Sequence, residues 1–266
     1  MQGRVLIVAG SDSGGGAGIQ ADLKAVTALD AFGATAITAL TAQNTRGVFG
    51  VFPVPPAFLA QQMSLVLEDI GADAIKTGML HSAEVIDVVA DVHERLAKDV
   101  PLVVDPVMVA KGGAPLLLPE ARDALLGRLL PRAALITPNL PEAEVLSGQT
   151  IDGVAAMRRV AEALLALGPK AVLVKGGHLE GPKVTDVLVT AAGERIFEDD
   201  RIETTSTHGT GCTLASAIAA GIAQGLGVEA AIARARRYIR LAIAQAPGLG
   251  HGHGPLNHAV TVRPFD

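Results

Sequence analysis

The sequence has few of the features that mark exported, membrane-bound or nucleic-acid-binding proteins. Its 266 residues include one cysteine, Cys212, so no intramolecular disulfide can form. No apolar stretch of 18 residues lacks glycine, proline or charge, and no signal peptide precedes the first strand-like run. We therefore expect a soluble cytoplasmic protein with no membrane partner.

Basic residues are also scarce and scattered. The formal net charge is -5, and the only adjacent basic pairs, Arg158-Arg159 and Arg236-Arg237, fall in helical patterns. Because a general nucleic-acid binder is usually basic, we predict no nucleic-acid partner. Hydrophobic residues make up 49% of the chain and charged residues 18%, which indicates a globular protein.

Short apolar runs alternate with longer amphipathic stretches along the chain. The runs suit strands buried on both faces of a parallel sheet, and they cover residues 5–9, 34–42, 74–75, 102–104, 133–136, 171–174 and 184–189. The helical patterns cover residues 18–32, 55–70, 82–98, 119–130, 152–167, 211–225 and 228–246. This alternation predicts one α/β domain over residues 1–266, with helices on both faces of a mostly parallel sheet. The turn at 191–194 predicts an antiparallel hairpin at one edge, and residues 48–56 are expected to form a surface loop.

A glycine-rich loop follows the first strand. Residues 10–18 contain five glycines and lead into a helix, an arrangement that suits an anion or a polar ligand better than a simple turn. The segment 16–21 also fits the G-x-G-x-x-A pattern of dinucleotide-binding folds. That pattern requires an acid about 20 residues further on, whereas none occurs between Asp30 and Glu68. The loop also lacks the Gly-Lys-Ser/Thr of a P-loop, so both nucleotide patterns are weak.

Polar residues follow three later strands, at the edge where ligands bind in open α/β sheets. Asp105 is a candidate metal ligand or base, although an aspartate there could also cap a turn. Asn139 and Glu142 could hold a hydrated Mg²⁺, or they could form a capping box at the start of a short helix. Lys175, followed by two glycines, suits a positive charge directed at phosphate, while His178 alone is weak evidence.

The segment Thr207–Thr213 carries the strongest signal. Small residues, among them Gly209, Thr210 and Gly211, expose backbone N–H groups at the start of a helix, where the helix dipole favours an anion. Cys212 lies in the first turn, where a thiol pKa can be depressed, although a buried structural cysteine is the alternative. Three further histidines, His251, His253 and His258, fit no common zinc spacing, so a structured C-terminal loop is expected there.

In order along the chain, these motifs resemble the hydroxymethylpyrimidine/phosphomethylpyrimidine kinases of the ribokinase-like superfamily. The matching stretches lie between residues 9 and 258 and are AGSDSGGGAGIQADLK, ITALTAQNTRGV, KTGML, VVDPVM, AKGG, LITPNLPEAE, KGGH, THGTGCTLASAIAA and GHGPLNH. The resemblance implies a three-layer αβα sandwich and a homodimer. It also implies two ATP-dependent phosphorylations of a hydroxymethylated aminopyrimidine in thiamine biosynthesis. One departure is Gly113 in AKGG, where the family more often has Ser-Gly, in an expected flap.

The resemblance also implies the role of each site residue. Gly209, Thr210 and Gly211 form the anion cradle, and Cys212, in the slot where most of the superfamily has a catalytic aspartate, accepts or orients the hydroxyl proton, with possible help from Asp105. The residues expected to bind ATP are Lys175, Asn139 and Thr210, and those expected to bind Mg²⁺ are Asp105, Asn139 and Glu142. The pyrimidine pocket is expected to consist of Gly10, Asp22, Gln43, Met79 and Val107. The carboxamide of Gln43 also matches an aminopyrimidine edge independently, since both offer a donor beside an acceptor.

Three other functions compete with this one. A pyridoxal kinase, or a dual-specificity enzyme, would act on a similar hydroxymethyl group. A nucleotide-dependent oxidoreductase is disfavoured by the missing acid after the second strand. A non-catalytic pyrimidine sensor would not need Asp105, Lys175 and Cys212 together.

Overall fold

The central sheet has nine strands in the order β3-β2-β1-β4-β5-β6-β7-β8-β9. The computed structural model describes residues 1–110 and 113–262, so Lys111 and Gly112 of the AKGG motif lie outside the described residues. The strands are β1 (Arg4–Asp12), β2 (Phe32–Asn44), β3 (Gly47–Pro53), β4 (Ala74–Thr77), β5 (Leu102–Val104), β6 (Leu135–Ile136), β7 (Ala171–Val174), β8 (Lys183–Thr190) and β9 (Gly193–Asp200). The six strands from β2 to β7 in the sheet order run parallel.

Antiparallel strands close both edges of the sheet. The predicted hairpin is confirmed, because β8 pairs with β7 and β9 in antiparallel register. The prediction of a surface loop at 48–56 is wrong, since most of that segment forms β3, antiparallel to β2. Its glycines and prolines obscured the alternation that marks a strand, and an edge strand tolerates both.

Helices cover both faces of the sheet and create two apolar cores, as expected for a three-layer αβα sandwich. The helices are α1 (Gly18–Ala28), α2 (Pro56–Asp69), α3 (Ala83–Leu96), α4 (Ala121–Ala124), α5 (Leu140–Ser147), α6 (Val154–Leu165), α7 (Thr210–Ala223) and α8 (Val228–Ala244). The predicted helix at 119–130 is only partly α-helical, because α4 continues as a π-helical turn (Leu125–Leu129) and a 3-10 turn (Leu130–Arg132). A last 3-10 turn spans His258–Thr261.

Strand β1 lies between the two cores. Its side chains alternate across the sheet, so Leu6 and Val8 join the core beneath α2, α3 and α6, whereas Val5 and Ile7 join the core beneath α1, α7 and α8. This explains the continuous apolar run at the start of the sequence. None of the helices in residues 1–110 and 113–262 has the length and apolarity that a membrane span requires.

Candidate active site

A cavity of about 450 Å³ opens at the carboxyl ends of the parallel strands. Its walls include twelve of the thirteen predicted site residues, namely Gly10, Gln43, Met79, Asp105, Val107, Asn139, Glu142, Lys175, Gly209, Thr210, Gly211 and Cys212. Residues up to 202 positions apart in the sequence, Gly10 and Cys212, therefore share one site. The exception is Asp22.

The glycine-rich loop after β1 is folded around the side chain of Asp12. Its carboxylate accepts hydrogen bonds from the backbone N–H groups of Gly14, Gly16 and Ala17 at 2.7–3.1 Å. Burial opposes ionisation of Asp12, but these bonds and one from His208 outweigh it and lower the pKa of the carboxyl. The loop then turns tightly into α1 at Gly18, where φ is +53° and a side chain would collide with the carbonyl oxygen of Gly10.

The loop before α7 packs directly against the glycine-rich loop. Gly209 has φ +79°, and a side chain there would collide with the carbonyl oxygen of Gly16. With the loop packed in this way, the N-terminus of α7 faces the cavity at Thr210 and Gly211. Because the first N–H groups of a helix have no partner within the helix, they can receive the oxygens of an anion.

Lys175 and Asp105 form an ion pair beside this helix start. Lys175 Nζ lies 2.8 Å from Asp105 Oδ1, which also accepts from the Thr137 hydroxyl at 3.2 Å. A side chain at Gly211 would begin 3.3 Å from Lys175 Nζ. Burial disfavours the ammonium of Lys175, but Asp105 and Glu142 outweigh it and raise its pKa, so the charge persists at neutral pH. A fixed cation thus lies next to the anion-binding backbone.

The segment after Lys175 is held in place by contacts with β8, β9 and α8. Gly176 N–H donates to Asp186 at 2.9 Å, and the Arg236 guanidinium of α8 pairs with both Asp186 and Asp199. A side chain at Gly176 would collide with the carbonyl oxygen of Thr185. The glycine is therefore required for the turn that directs Lys175 into the cavity.

Asn139 and Glu142 form the capping box of α5. The Asn139 side chain accepts from the Glu142 N–H at 2.9 Å, and the Glu142 carboxylate accepts from the Asn139 N–H at 2.8 Å. Both residues still line the cavity, so capping and ligand binding are compatible. Burial raises the pKa of Glu142 to about 7, with Lys175 lowering it and Asp105 raising it.

The donor set around this capping box suits a hard cation bound mainly through water. Residues 1–110 and 113–262 contain no group of three His, Cys, Asp or Glu side chains that could hold a metal ion. Mg²⁺ usually needs only one or two carboxylates besides water and substrate phosphates, and Asp105 and Glu142 supply oxygens of that kind. The residues present therefore fit Mg²⁺ accompanied by phosphate.

Gln43 lines the cavity next to the glycine-rich loop, where its backbone N–H donates to the Ser13 hydroxyl at 2.9 Å. Its Oε1 accepts from the Thr41 hydroxyl at 3.1 Å, and its Nε2 lies 3.3 Å from His208 Nε2. Nearby, a side chain at Gly10 would begin 2.8 Å from the methyl carbon of Met79, so the two pack tightly. This part of the wall therefore combines an amide with an apolar thioether side chain.

Asp22 occupies a different position from the one expected. It is fully buried and absent from the cavity wall, because both of its carboxylate oxygens pair with Lys76 Nζ, at 2.8 and 2.9 Å. We therefore correct its role from a direct substrate contact to a support beneath the cavity.

Cys212 reaches the cavity wall but does not have the depressed thiol pKa that its helix position suggested. Burial raises the pKa to about 12 and opposes the effect of the nearby Lys76. Loss of solvation outweighs the helix dipole here, so the expectation of a depressed pKa is wrong, and only a small fraction of the thiol is ionised at neutral pH.

Comparison with known proteins assigns the chain and its fold to one family. A family model described as phosphomethylpyrimidine kinase matches residues 12–257. The chain belongs to this family. It is therefore a kinase, and its ribokinase-like fold is confirmed by its structural neighbours.

Two relatives illustrate the extent of the match to the phosphomethylpyrimidine kinase family. The thiamine biosynthesis bifunctional protein ThiED of Geobacter sulfurreducens is 54% identical over 257 residues, covering 97% of this chain and 52% of that protein. The chain thus spans about half the length of this relative. The hydroxymethylpyrimidine/phosphomethylpyrimidine kinase of Streptomyces coelicolor is 48% identical over 254 residues, covering 96% of this chain and 93% of that one.

Solved structures of similar proteins include two kinds of vitamin kinase. The phosphomethylpyrimidine kinase of Clostridium difficile superposes with a TM-score of 0.81 and 44% identity, covering 90% of this chain and 99% of that one. The pyridoxal kinase of Staphylococcus aureus, in complex with AMP-PCP and pyridoxal, superposes with a TM-score of 0.89 and 34% identity, covering 98% and 94%.

A second cavity of about 270 Å³ adjoins the first in this phosphomethylpyrimidine kinase family member. The two share six residues, and the second extends towards α8; the shared residues are Asn139, Lys175, His178, Thr207, Thr210 and Gly211. An elongated ligand could therefore lie across the helix start, with one end in each cavity.

Sequence reasoning missed several residues that shape the site. Asp12 and His208, whose Nε2 lies 2.8 Å from Asp12 Oδ2, connect the two loops. The signal for Asp12 was present, because an aspartate before consecutive glycines typically binds turn N–H groups. Nothing in the local sequence indicates the buried Lys76. His258 pairs with the Tyr238 hydroxyl at 3.1 Å, and burial lowers its pKa to about 4, so it has a structural role in the C-terminal segment.

Proposed function

We propose that the chain phosphorylates 4-amino-5-hydroxymethyl-2-methylpyrimidine, first to the monophosphate and then to the diphosphate, with Mg-ATP in thiamine biosynthesis. One observation carries the proposal: the Lys175–Asp105 pair, the open start of α7 and the carboxamide of Gln43 face a single cavity. The names of the relatives support the same substrate and pathway.

In the first reaction, the hydroxyl oxygen of the pyrimidine attacks the γ-phosphorus of ATP. The bond from that phosphorus to the β–γ bridging oxygen breaks, ADP leaves, and the hydroxyl proton passes to a base. Because phosphoryl transfer depends mainly on positioning and charge neutralisation, the N–H groups of Gly209, Thr210 and Gly211 and the ammonium of Lys175 are the main catalytic groups. Cys212 accepts or orients the proton, assisted by Asp105.

In the second reaction, the nucleophile is an oxygen of the monophosphate. A phosphomonoester is largely ionised above its second pKa of about 6, so this oxygen has no proton to lose. The same anion cradle then has to hold two phosphoryl groups. The two reactions therefore differ in their need for a base, and this difference can be measured.

We assign the nucleotide and metal sites from the positions of the residues around the two cavities. Lys175, Asn139 and Thr210 border both cavities, so ATP would place its phosphates there and its base towards α8. Asp105, Asn139 and Glu142 would hold Mg²⁺ and its waters. The ion would neutralise charge on the transferring phosphoryl group.

The direct test is incubation with hydroxymethylpyrimidine, ATP and Mg²⁺, followed by mass spectrometry for the mono- and diphosphate. Pyridoxal is the competing substrate, since several structural neighbours are pyridoxal kinases. We expect a higher kcat/KM for hydroxymethylpyrimidine than for pyridoxal, measured side by side. The opposite order would indicate a pyridoxal kinase, and binding without turnover of either compound would indicate a sensor.

Replacing Gln43 with leucine is expected to weaken pyrimidine binding about tenfold or more and to leave ADP binding unchanged. The aminopyrimidine would lose its bidentate partner, at a cost of about 1–3 kcal/mol for polar atoms left unpaired. Titration calorimetry with each ligand measures both effects. Gln149→Leu, on the exposed surface, is the matched control, and equal pyrimidine affinity in wild type and Gln43→Leu would remove Gln43 from the pocket.

We also propose that the chain is a homodimer that associates through the β2–β3 edge. Leu40 pairs with Phe52 across the two strands, so their side chains share a face, and they are 47% and 69% exposed. Phe58, in the first turn of α2, is 56% exposed. Large exposed apolar groups at or near the edge of a sheet often mark an interaction surface. A cytoplasmic location remains a prediction.

Phe52→Asp is expected to shift the protein from dimer to monomer, because it introduces a charge into the proposed apolar interface. Sedimentation velocity over a range of protein concentrations measures the change. The control is Leu167→Asp, an equally drastic change at an exposed leucine after α6. A wild-type monomer, or a dimer that persists in Phe52→Asp, would contradict this interface.

A further inference from the structure

A fully buried ion pair lies behind the cavity wall. Lys76, the third residue of β4, and Asp22, in the middle of α1, have no exposed surface, and Lys76 Nζ contacts both carboxylate oxygens. The hydroxyl of Ser216 donates to Asp22 Oδ1 at 2.7 Å. Residues from β4, α1 and α7 therefore meet at one charged centre.

This centre lies next to the part of the site that contains Cys212. Ser216 follows Cys212 by four residues in α7, which places the two on the same face one turn apart. Gly78 lines the cavity, and a side chain there would begin 3.0 Å from Lys76 Nζ. The ammonium thus lies close behind a glycine of the cavity wall.

The charged groups around Cys212 come from four elements. Lys76 on β4 favours the thiolate, whereas Asp22 on α1 and Asp105 after β5 disfavour it. Lys175 after β7 is also within electrostatic reach, but it is paired with Asp105 and faces the start of α7. The backbone N–H of Gly18 also favours the thiolate.

We propose that Lys76 is a positioning residue that stabilises the thiolate of Cys212. This inference rests on the proposed function, in which Cys212 receives the hydroxyl proton of the pyrimidine. Burial opposes charge on the sulfur, and Lys76 is the cation that partly offsets this effect. Asp22 keeps the Lys76 ammonium protonated in the protein interior. The hydroxyl of Ser216 fixes the Asp22 carboxylate against α7.

A purely structural role is a weak explanation for the pair. Buried ion pairs are often replaced by apolar residues without loss of stability, because desolvation cancels much of the attraction. Lys76 lies close to Gly78 of the cavity wall, so its charge can act on groups in the cavity. An apolar pair at the same positions could not do this.

The test measures the thiolate directly and needs neither ATP nor pyrimidine. Cys212 is the only cysteine in the chain, so the rate of alkylation by iodoacetamide between pH 7 and 9 reports on this thiol alone. Lys76→Met is expected to slow alkylation about threefold or more. Loss of a nearby opposite charge raises a thiol pKa by about one unit or more, which lowers the thiolate fraction about tenfold. The remaining thiolate is more nucleophilic because its pKa is higher, and this offsets part of the loss in rate.

Two comparisons make the outcome decisive. Lys98→Met removes an exposed lysine before β5 and is expected to leave the rate unchanged. If Lys76→Met does not fold, the single variant Asp22→Asn is compared with the double variant Asp22→Asn/Lys76→Met. These two proteins again differ only at residue 76, and the double variant is expected to be alkylated more slowly. A merely structural role would loosen the wall and speed alkylation, so an unchanged or faster rate without Lys76 would overturn the proposal. Failure of the kinase assay with slowed alkylation would instead count against the proposed function alone.

Discussion

Lys175→Met is expected to lower kcat by about 100- to 1000-fold in both phosphorylation reactions while changing the pyrimidine Kd little. Its ammonium lies 2.8 Å from Asp105 and directly beside the start of α7, where the transferring phosphoryl group would bind. Removing one preorganised charge of this kind typically costs two to three orders of magnitude in rate. Steady-state kinetics with each pyrimidine and calorimetry with hydroxymethylpyrimidine measure the two quantities.

The matched control for Lys175→Met is Lys170→Met. Lys170 lies just before β7, at the opposite end of the strand that Lys175 follows, and it is exposed. Thermal unfolding of both variants checks that Asp105, which loses its partner, has not destabilised the fold. A normal kcat in Lys175→Met would exclude Lys175 from phosphoryl transfer.

Cys212→Ser is expected to slow the first phosphorylation about 100-fold and to affect the second much less. A serine hydroxyl hardly ionises near neutral pH, and loss of a general base costs about 10²–10⁴ in rate. The second reaction starts from an ionised phosphate oxygen, which needs no base, and the backbone cradle survives the change. Separate assays with hydroxymethylpyrimidine and its monophosphate distinguish the two reactions.

Cys212→Asp is the companion variant, because related kinases have aspartate at this position. A base must be deprotonated to act, so activity falls as the pH decreases through its pKa. Burial raises the pKa of the cysteine thiol to about 12, whereas an aspartate normally titrates far below that value. The acidic limb of the pH profile should therefore move to lower pH in the aspartate variant. Full activity in Cys212→Ser with an unaltered profile would mean that Cys212 only lines the cavity and that Asp105 or a water takes the proton.

The sequence was sufficient to predict the parallel core and twelve residues of the cavity wall. Buried parallel strands produce continuous apolar runs, so 171–174 and 102–104 were predicted to the residue, and polar residues directly after such runs had to meet at one edge. The capping box of Asn139 and Glu142 was also visible, because it depends on a spacing of three residues.

Long-range partners account for what could not be predicted. Asp22 has no local sign that it would turn away from the cavity, since its partner Lys76 lies 54 residues further on and Ser216 lies 194 residues away. The thiol pKa of Cys212 likewise depends on burial by the whole fold and not on its position in α7 alone. Edge strand β3 was missed because exposed strands need no alternating apolar pattern.

The contact between the glycine-rich loop and the loop before α7 has a consequence for folding while the chain is being synthesised. Gly16 and Gly209 are in close contact although 193 positions separate them, and the His208–Asp12 bond spans 196 residues. Contacts of such sequence separation form late in folding, because closing so long a loop costs entropy before any contact repays it. Residues up to 209 must therefore have left the ribosome before the cavity can close, so the growing polypeptide cannot hold a phosphate there until most of the chain has been synthesised.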